Sequence, residues 1–171
     1  MKHLILLATA ALAATAAAAQ PRPWPLTPEG YGPTRLGMTR AQVERALNVR
    51  LEGTPVDDAD TCIEMGAARG AHRHLIFMFI DRRLSRIAAI DASRVATPRG
   101  LGIGATAAQV RRAYGRDLRA EEHTYLGRPA EYLTFWTRPN RRGVRFVTGL
   151  NRRVEAVIAG NETILYIEGC A

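Results

Sequence analysis

Beyond Lys2 the 171-residue sequence contains no lysine, although its formal charge is +8. All the other fixed positive charge is arginine, and no Lys/Arg-rich block interrupts its even spread. The stretch GLGIG, residues 100–104, is followed by no lysine and lacks the spacing of a phosphate loop, which excludes that nucleotide motif. No serine stands in a G-x-S-x-G setting, which removes the hydrolase elbow. Cysteine occurs twice, as Cys62 and Cys170, and neither is placed early enough to carry the lipid of a bacterial lipoprotein. After the first twenty residues no apolar run approaches the roughly 20 residues that a membrane-spanning helix needs, so no transmembrane segment is expected.

What is there begins with MKHLILLATAALAATAAAAQ, one Lys before an apolar run that ends in an A-x-A site at Ala17 and Ala19. This pattern is that of a secretory signal peptide, residues 1–19, and the expected destination is the periplasm or the exterior. Removing it leaves 152 of the 171 residues, enough for one ordinary domain or two small ones sharing a core. In an oxidising compartment the two cysteines have one possible disulfide, Cys62 with Cys170, two separate buried thiols being the alternative. Without Lys2, 23 arginines face 16 carboxylates. The excess favours anionic partners, which for an exported chain are envelope lipid, lipopolysaccharide, glycan or an acidic protein rather than nucleic acid. Arginine-only usage also follows from a GC-rich genome, and most of these residues need no function.

The phrase GMTRAQVERALN, Gly37 to Asn48, returns as GATAAQVRRAYG, Gly104 to Gly115. In each, a threonine precedes a glutamine by three residues, Thr39 with Gln42 and Thr106 with Gln109, which is a capping box. Apolar residues then fall at helical spacing, Val43, Ala46 and Leu47, then Val110, Ala113 and Tyr114, and Asn48 or Gly115 closes the helix. Helices this short need a sheet to lean on. Strands are expected from Thr61, over Leu75 to Ile80, Leu84 to Ile90, from Glu131, over Val144 to Thr148 and Val154 to Ala159, with a seventh over Thr163 to Glu168. The loops DRRL and NRRV repeat as well. The expected fold is therefore α+β, a tandem duplication of a short helix packed on an antiparallel β-sheet. An extension over 20–34 leads to one repeat over 35–92, a linker over 93–102 and a second repeat over 103–171.

LGMTRAQVERAL resembles the helix-opening motif of the small outer-membrane lipoproteins of the β-barrel assembly machinery, and of the fold they share with β-lactamase inhibitory protein. The inhibitor is similar also in being an exported tandem duplication of about this length. YIEGC and TPRGLGIGATAAQVRRAYG resemble uncharacterised periplasmic proteins of proteobacteria. The resemblance implies the α+β fold and an inhibitor-like, protein-binding role.

No catalytic residue, cofactor or metal site is expected. The strongest metal candidate is His72 and His74 with His123 or Glu64, but the pair lies at a loop-to-strand junction where exposed histidines are ordinary. The acidic run Asp57 to Asp60 lacks the glycine and terminal glutamate of a calcium loop. For binding, alternation along EYLTFW puts Tyr132, Thr134 and Trp136 on one face, with Arg145 beside them, and Leu133 and Phe135 on the other beneath the helix. Tyr, Trp and Arg are the residues that anchor interfaces, although a covered face would make the same rings core. The expected function is a non-catalytic exported binding module working through a sheet face. The alternative is an arginine-rich protein holding an anionic envelope component, and a small metal-dependent enzyme is a third.

Overall fold

The computed structural model describes residues 23–53, 61–138 and 141–170. The signal peptide and the acidic run at 57–60 lie outside them. A hairpin of β1 (Leu26–Thr27) and β2 (Gly30–Tyr31) precedes helix α1 (Arg40–Leu47) and strands β3 (Leu51–Glu52), β4 (Cys62–Ala67), β5 (Leu75–Ile80) and β6 (Arg83–Ala89). Helix α2 (Ala107–Tyr114) follows, then β7 (Leu118–Glu122), β8 (Glu131–Arg138), β9 (Arg142–Thr148) and β10 (Val154–Gly160). The chain is α+β: β3 to β10 form one eight-stranded sheet in the order β3-β4-β5-β6-β10-β9-β8-β7, antiparallel throughout.

Both capping boxes are present. Thr39 accepts the Gln42 amide at 3.4 Å and Gln42 accepts the Thr39 amide at 2.8 Å; for Thr106 and Gln109 the distances are 3.2 and 2.8 Å. Asn48 closes α1 at φ 52°. The repeated glycines serve a further purpose. Gly37 donates to the carbonyl of Leu84, and Leu84 donates to that of Met38, both at 2.8 Å. Gly104 donates to Val154, and Val154 to Ala105, again at 2.8 Å. The arginines of DRRL and NRRV complete each junction, Arg83 donating to the Gly37 carbonyl at 3.3 Å and Arg153 to that of Gly104 at 2.9 Å. Each helix is thus fastened to a hairpin by backbone, and two of the arginines are fasteners.

The helices cover one face of the sheet. A row of register partners, Met65, Phe77, Ile87, Ala159, Val144, Phe135 and Leu118, belongs to the same apolar core as Val43, Leu47, Val110 and Tyr114. Tyr114 packs 4.8 Å from Phe135 and 5.5 Å from Phe146, centroid to centroid. Leu133 and Phe135 therefore lie beneath α2, as the alternation requires. Replacing either cap, Thr39→Ala or Thr106→Ala, is expected to lower stability by about 1 kcal/mol in a denaturant titration while leaving any binding unchanged.

One expectation needs correcting. Thr163 to Glu168 is not a seventh strand: residues Glu162–Leu165 form a 3-10 turn. Strand β10, from which this segment emerges, is already paired on both sides, with β6 and β9, so no edge is open to it. Conversely β3, of only two residues, and the largely charged β7 are strands at the two ends of the sheet, where none is expected.

Candidate functional site

The face of the sheet away from the helices carries a second row, Glu64, Met78, Arg86, Gly160, Gly143 and Trp136, paired in register. Residues 161–170 cross this face as a strap. Asn161 starts it, its Oδ1 accepting from the Ser85 hydroxyl at 2.9 Å and the Thr163 amide at 3.0 Å. Ile164 is buried over Gly143, where an added Cβ would stand 3.1 Å from Ile164 Cδ1 and 2.8 Å from the Trp136 ring. Arg86 reaches up to the strap, donating through one guanidinium nitrogen to the carbonyls of Thr163 and Tyr166, both at 2.8 Å, and through the other to Glu64 at 2.8 Å. Gly169 passes over that same Glu64 with φ 72°, so close that a Cβ there would lie 2.5 Å from Glu64 Oε2. Beyond it Cys170 is bonded to Cys62, closing 108 residues of sequence. A disulfide of this kind belongs to an oxidising, extracytoplasmic compartment. Among the described residues no helix is long and apolar enough to cross a membrane.

The strap pins its polar groups downward and leaves its large side chains outward. Leu165 (43% exposed), Tyr166 (47%) and Ile167 (47%) stand at the surface. Beside them the loop after β7 brings Tyr125 (63%), which lines one cleft with all three, and next to it in sequence is Leu126 (45%). Tyr125 donates its phenol to Glu168 of the strap, which raises the phenol's pKa and ties loop and strap into one ridge. Contiguous exposed apolar side chains of this size mark interaction surfaces. Next to the ridge, and sharing Tyr166 with it, an open cleft of about 650 Å³ carries Arg83, Arg141 and Arg142 with Asp81 and Glu162.

The four residues expected to bind do share the strap face, but they do not lie open. Tyr132, Thr134 and Arg145 are buried, and Trp136 is half-buried against Gly143 and Ile164. His123 stacks on the Tyr132 ring at 4.6 Å, and the Arg145 guanidinium lies 4.0 Å from the centre of the same ring, with Nη1 3.4 Å from the Glu121 carboxylate. Burial lowers the Arg145 pKa, against the opposing influence of Glu121 and Tyr132. The physical reason for the closure is non-local: the chain's own loop and terminus supply the cover.

His72 and His74 do not meet at a common ion. His72 stacks on Trp24 at 6.0 Å and sits 3.3 Å from the Tyr31 hydroxyl, where burial lowers its pKa; His74 faces Asp91 at 3.9 Å. Among the described residues no three His, Cys, Asp or Glu side chains are grouped to hold a metal. The ridge was missed in the sequence because TILYIE, with four consecutive apolar or aromatic residues, reads as a buried strand, and such a run suggests burial of the very residues that are exposed. The available signal was Asn161 ahead of it and Gly169 behind it, two residues that punctuate rather than extend a strand.

No protein-family model matches the chain, and no curated protein matches it. Among solved structures, it is similar to the uncharacterized protein yfeY from Escherichia coli, with 12% identity, a TM-score of 0.55, and coverage of 80% of this chain and 99% of that one. A DUF4309 family protein, YjgB from Bacillus subtilis, is similar at 16% identity and a TM-score of 0.48, over 78% of this chain and 84% of that one. Neither match supports the resemblance to the inhibitor or to the barrel-assembly lipoproteins, and at 12% identity the likeness to yfeY is one of fold.

Proposed function

We propose that the chain is an exported, non-catalytic binding module of the periplasm or secretome that contacts a protein through the ridge of Tyr125, Leu126, Leu165, Tyr166 and Ile167. The observation that carries this reading is an exposed apolar cluster held in place by a disulfide, a buried arginine and a phenol–carboxylate bond. Side chains already ordered in the free protein lose little further freedom on binding, which favours affinity. An inhibitor-like mode fits both this rigidity and the resemblance of the helix-opening phrase. The two halves derive from one helix-plus-sheet unit: the helices recur at a fixed offset, the junction bonds Gly37–Leu84 and Gly104–Val154 correspond, and the strand order reads alike from either end.

The test is retention of envelope components by immobilised protein, compared with Leu165→Asp/Ile167→Asp. The double variant is expected to lose at least tenfold in affinity with its melting temperature unchanged, the size of one interface anchor. Retention that survives the substitution would end the ridge reading. The second reading, capture of an anionic envelope component, is favoured by Arg83, Arg141 and Arg142 in the adjoining cleft. Binding by those charges falls steeply with added salt and is lost in Arg141→Glu/Arg142→Glu, whereas ridge binding responds to neither.

A further inference from the structure

The two ends of the eight-stranded sheet are unequal. At one end β3 has two residues, paired with Ala67 and Gly66 of β4, and is too short to offer a regular edge of its own. At the other, β7 runs for five, with no glycine, proline or bulge, and four of the five are exposed. Long regular edges of this kind pair with other strands unless something prevents it. The His123 amide donates toward β8, to the Ala130 carbonyl at 3.1 Å. Because successive residues of an antiparallel strand alternate in direction, the amides of Ala120 and Glu122 and the carbonyls of Leu118 and Ala120 point outward, away from β8. The Leu118 amide, which also points outward, is already used by Gly115.

The sequence of the edge is LRAEE. Laid antiparallel to itself about Ala120, it sets Arg119 of each copy opposite Glu121 of the other, on the strap face where these residues align with Thr134 and Tyr132. Centring on Arg119 sets arginine against arginine, and centring on Glu121 sets glutamate against glutamate, both unfavourable across a strand pair. Of these three registers, which centre within the strand, the one about Ala120 places opposite charges together. In that register the two Ala120 residues exchange both backbone bonds, and each Glu122 amide meets the other copy's Leu118 carbonyl. Glu121 remains 58% exposed despite its contact with Arg145, so it is accessible for this.

We propose that two copies of the chain pair through β7 in this register, joining their sheets into one continuous sheet with both strap faces on the same side. The partner is a second copy because the edge is complementary in charge to itself. The inference does not depend on what the ridge binds.

Sedimentation equilibrium over a wide range of protein concentration tests it. The wild-type mass is expected to rise toward twice that of the chain. Ala120→Pro removes an amide that the chain's own sheet does not use, so it is expected to stay monomeric with an unchanged circular dichroism spectrum. Arg119→Glu, which turns two attractive pairs repulsive, is expected to weaken association about tenfold. Ala120→Cys brings two thiols to a Cα separation of about 5.5 Å, within disulfide range, and is expected to give a covalent dimer under mild oxidation. A chain that stays monomeric at all concentrations, with no covalent dimer from Ala120→Cys, overturns the proposal. So does an association that Arg119→Glu leaves at full strength, an outcome that holds even if the proline variant does not fold. Monomers that bind an unrelated extended peptide along β7 instead would assign the edge to another partner and overturn self-pairing.

Discussion

Cys62→Ser/Cys170→Ser should unfold at markedly lower urea than the wild type, with a loss of about 2–5 kcal/mol and a steeper dependence on denaturant. The bond closes a loop of 108 residues, for which the chain-entropy account gives a ceiling of about 4.7 kcal/mol. Most of that acts on the unfolded chain, which is more expanded without the bond and exposes more surface, hence the steeper slope. The folded state is also affected, because Cys170 is the far anchor of the strap. Ridge residues Leu165 to Ile167 sit between that anchor and Asn161, so binding through them should weaken beyond what lost stability explains. A variant pair with wild-type stability, or two free thiols titrating in the unreduced wild type, would contradict the closed strap.

Helix positions were legible because their determinants are local. Thr39 with Gln42 and Thr106 with Gln109 fix the two starts, and both boxes are formed. The long strands were legible for a related reason: each is a short run rich in apolar, β-branched or aromatic residues, as in LIFMFI and VRFVT, bounded by turn residues. Strand β7 is the counter-example. LRAEE alternates only through Leu118 and Ala120 and is otherwise charged, too little to mark a strand, and its residues are strand because β8 offers an edge from Glu131 to Phe135. Tyr132, Thr134, Trp136 and Arg145 share one face, as alternation places them, since alternation is a local property. Exposure was not readable, since it depends on whether residues 161–170 leave the sheet or cross it. That choice is made by sheet topology, with β10 enclosed between β6 and β9, and nothing within TILYIE records it.

Arg86→Met is the other large effect to expect, and it separates the two devices that hold the strap. The arginine side chain is 6% exposed and its guanidinium bonds two strap carbonyls and Glu64. Methionine keeps the length of the apolar stem but leaves Glu64 and the carbonyls of Thr163 and Tyr166 without their donor. Removing one member of a buried pair costs about 3–5 kcal/mol; Glu64 is 35% exposed and recovers part of its hydration, which places this case near 3 kcal/mol. In urea titrations Glu64→Met combined with Arg86→Met should then be less destabilised than Arg86→Met alone, because the stranded carboxylate is gone. The disulfide and Arg86 act on the same ten residues, one covalently at the end and one polar at the middle. Once the disulfide is absent the strap frays more readily, and Arg86 has less ordered backbone to bond. Arg86→Met in the Cys62→Ser/Cys170→Ser background is therefore expected to cost less than in the wild type, with a coupling of about 1–2 kcal/mol. Losses that simply add would mean that the two anchors hold independent pieces of structure, and the strap would not be one cooperative element.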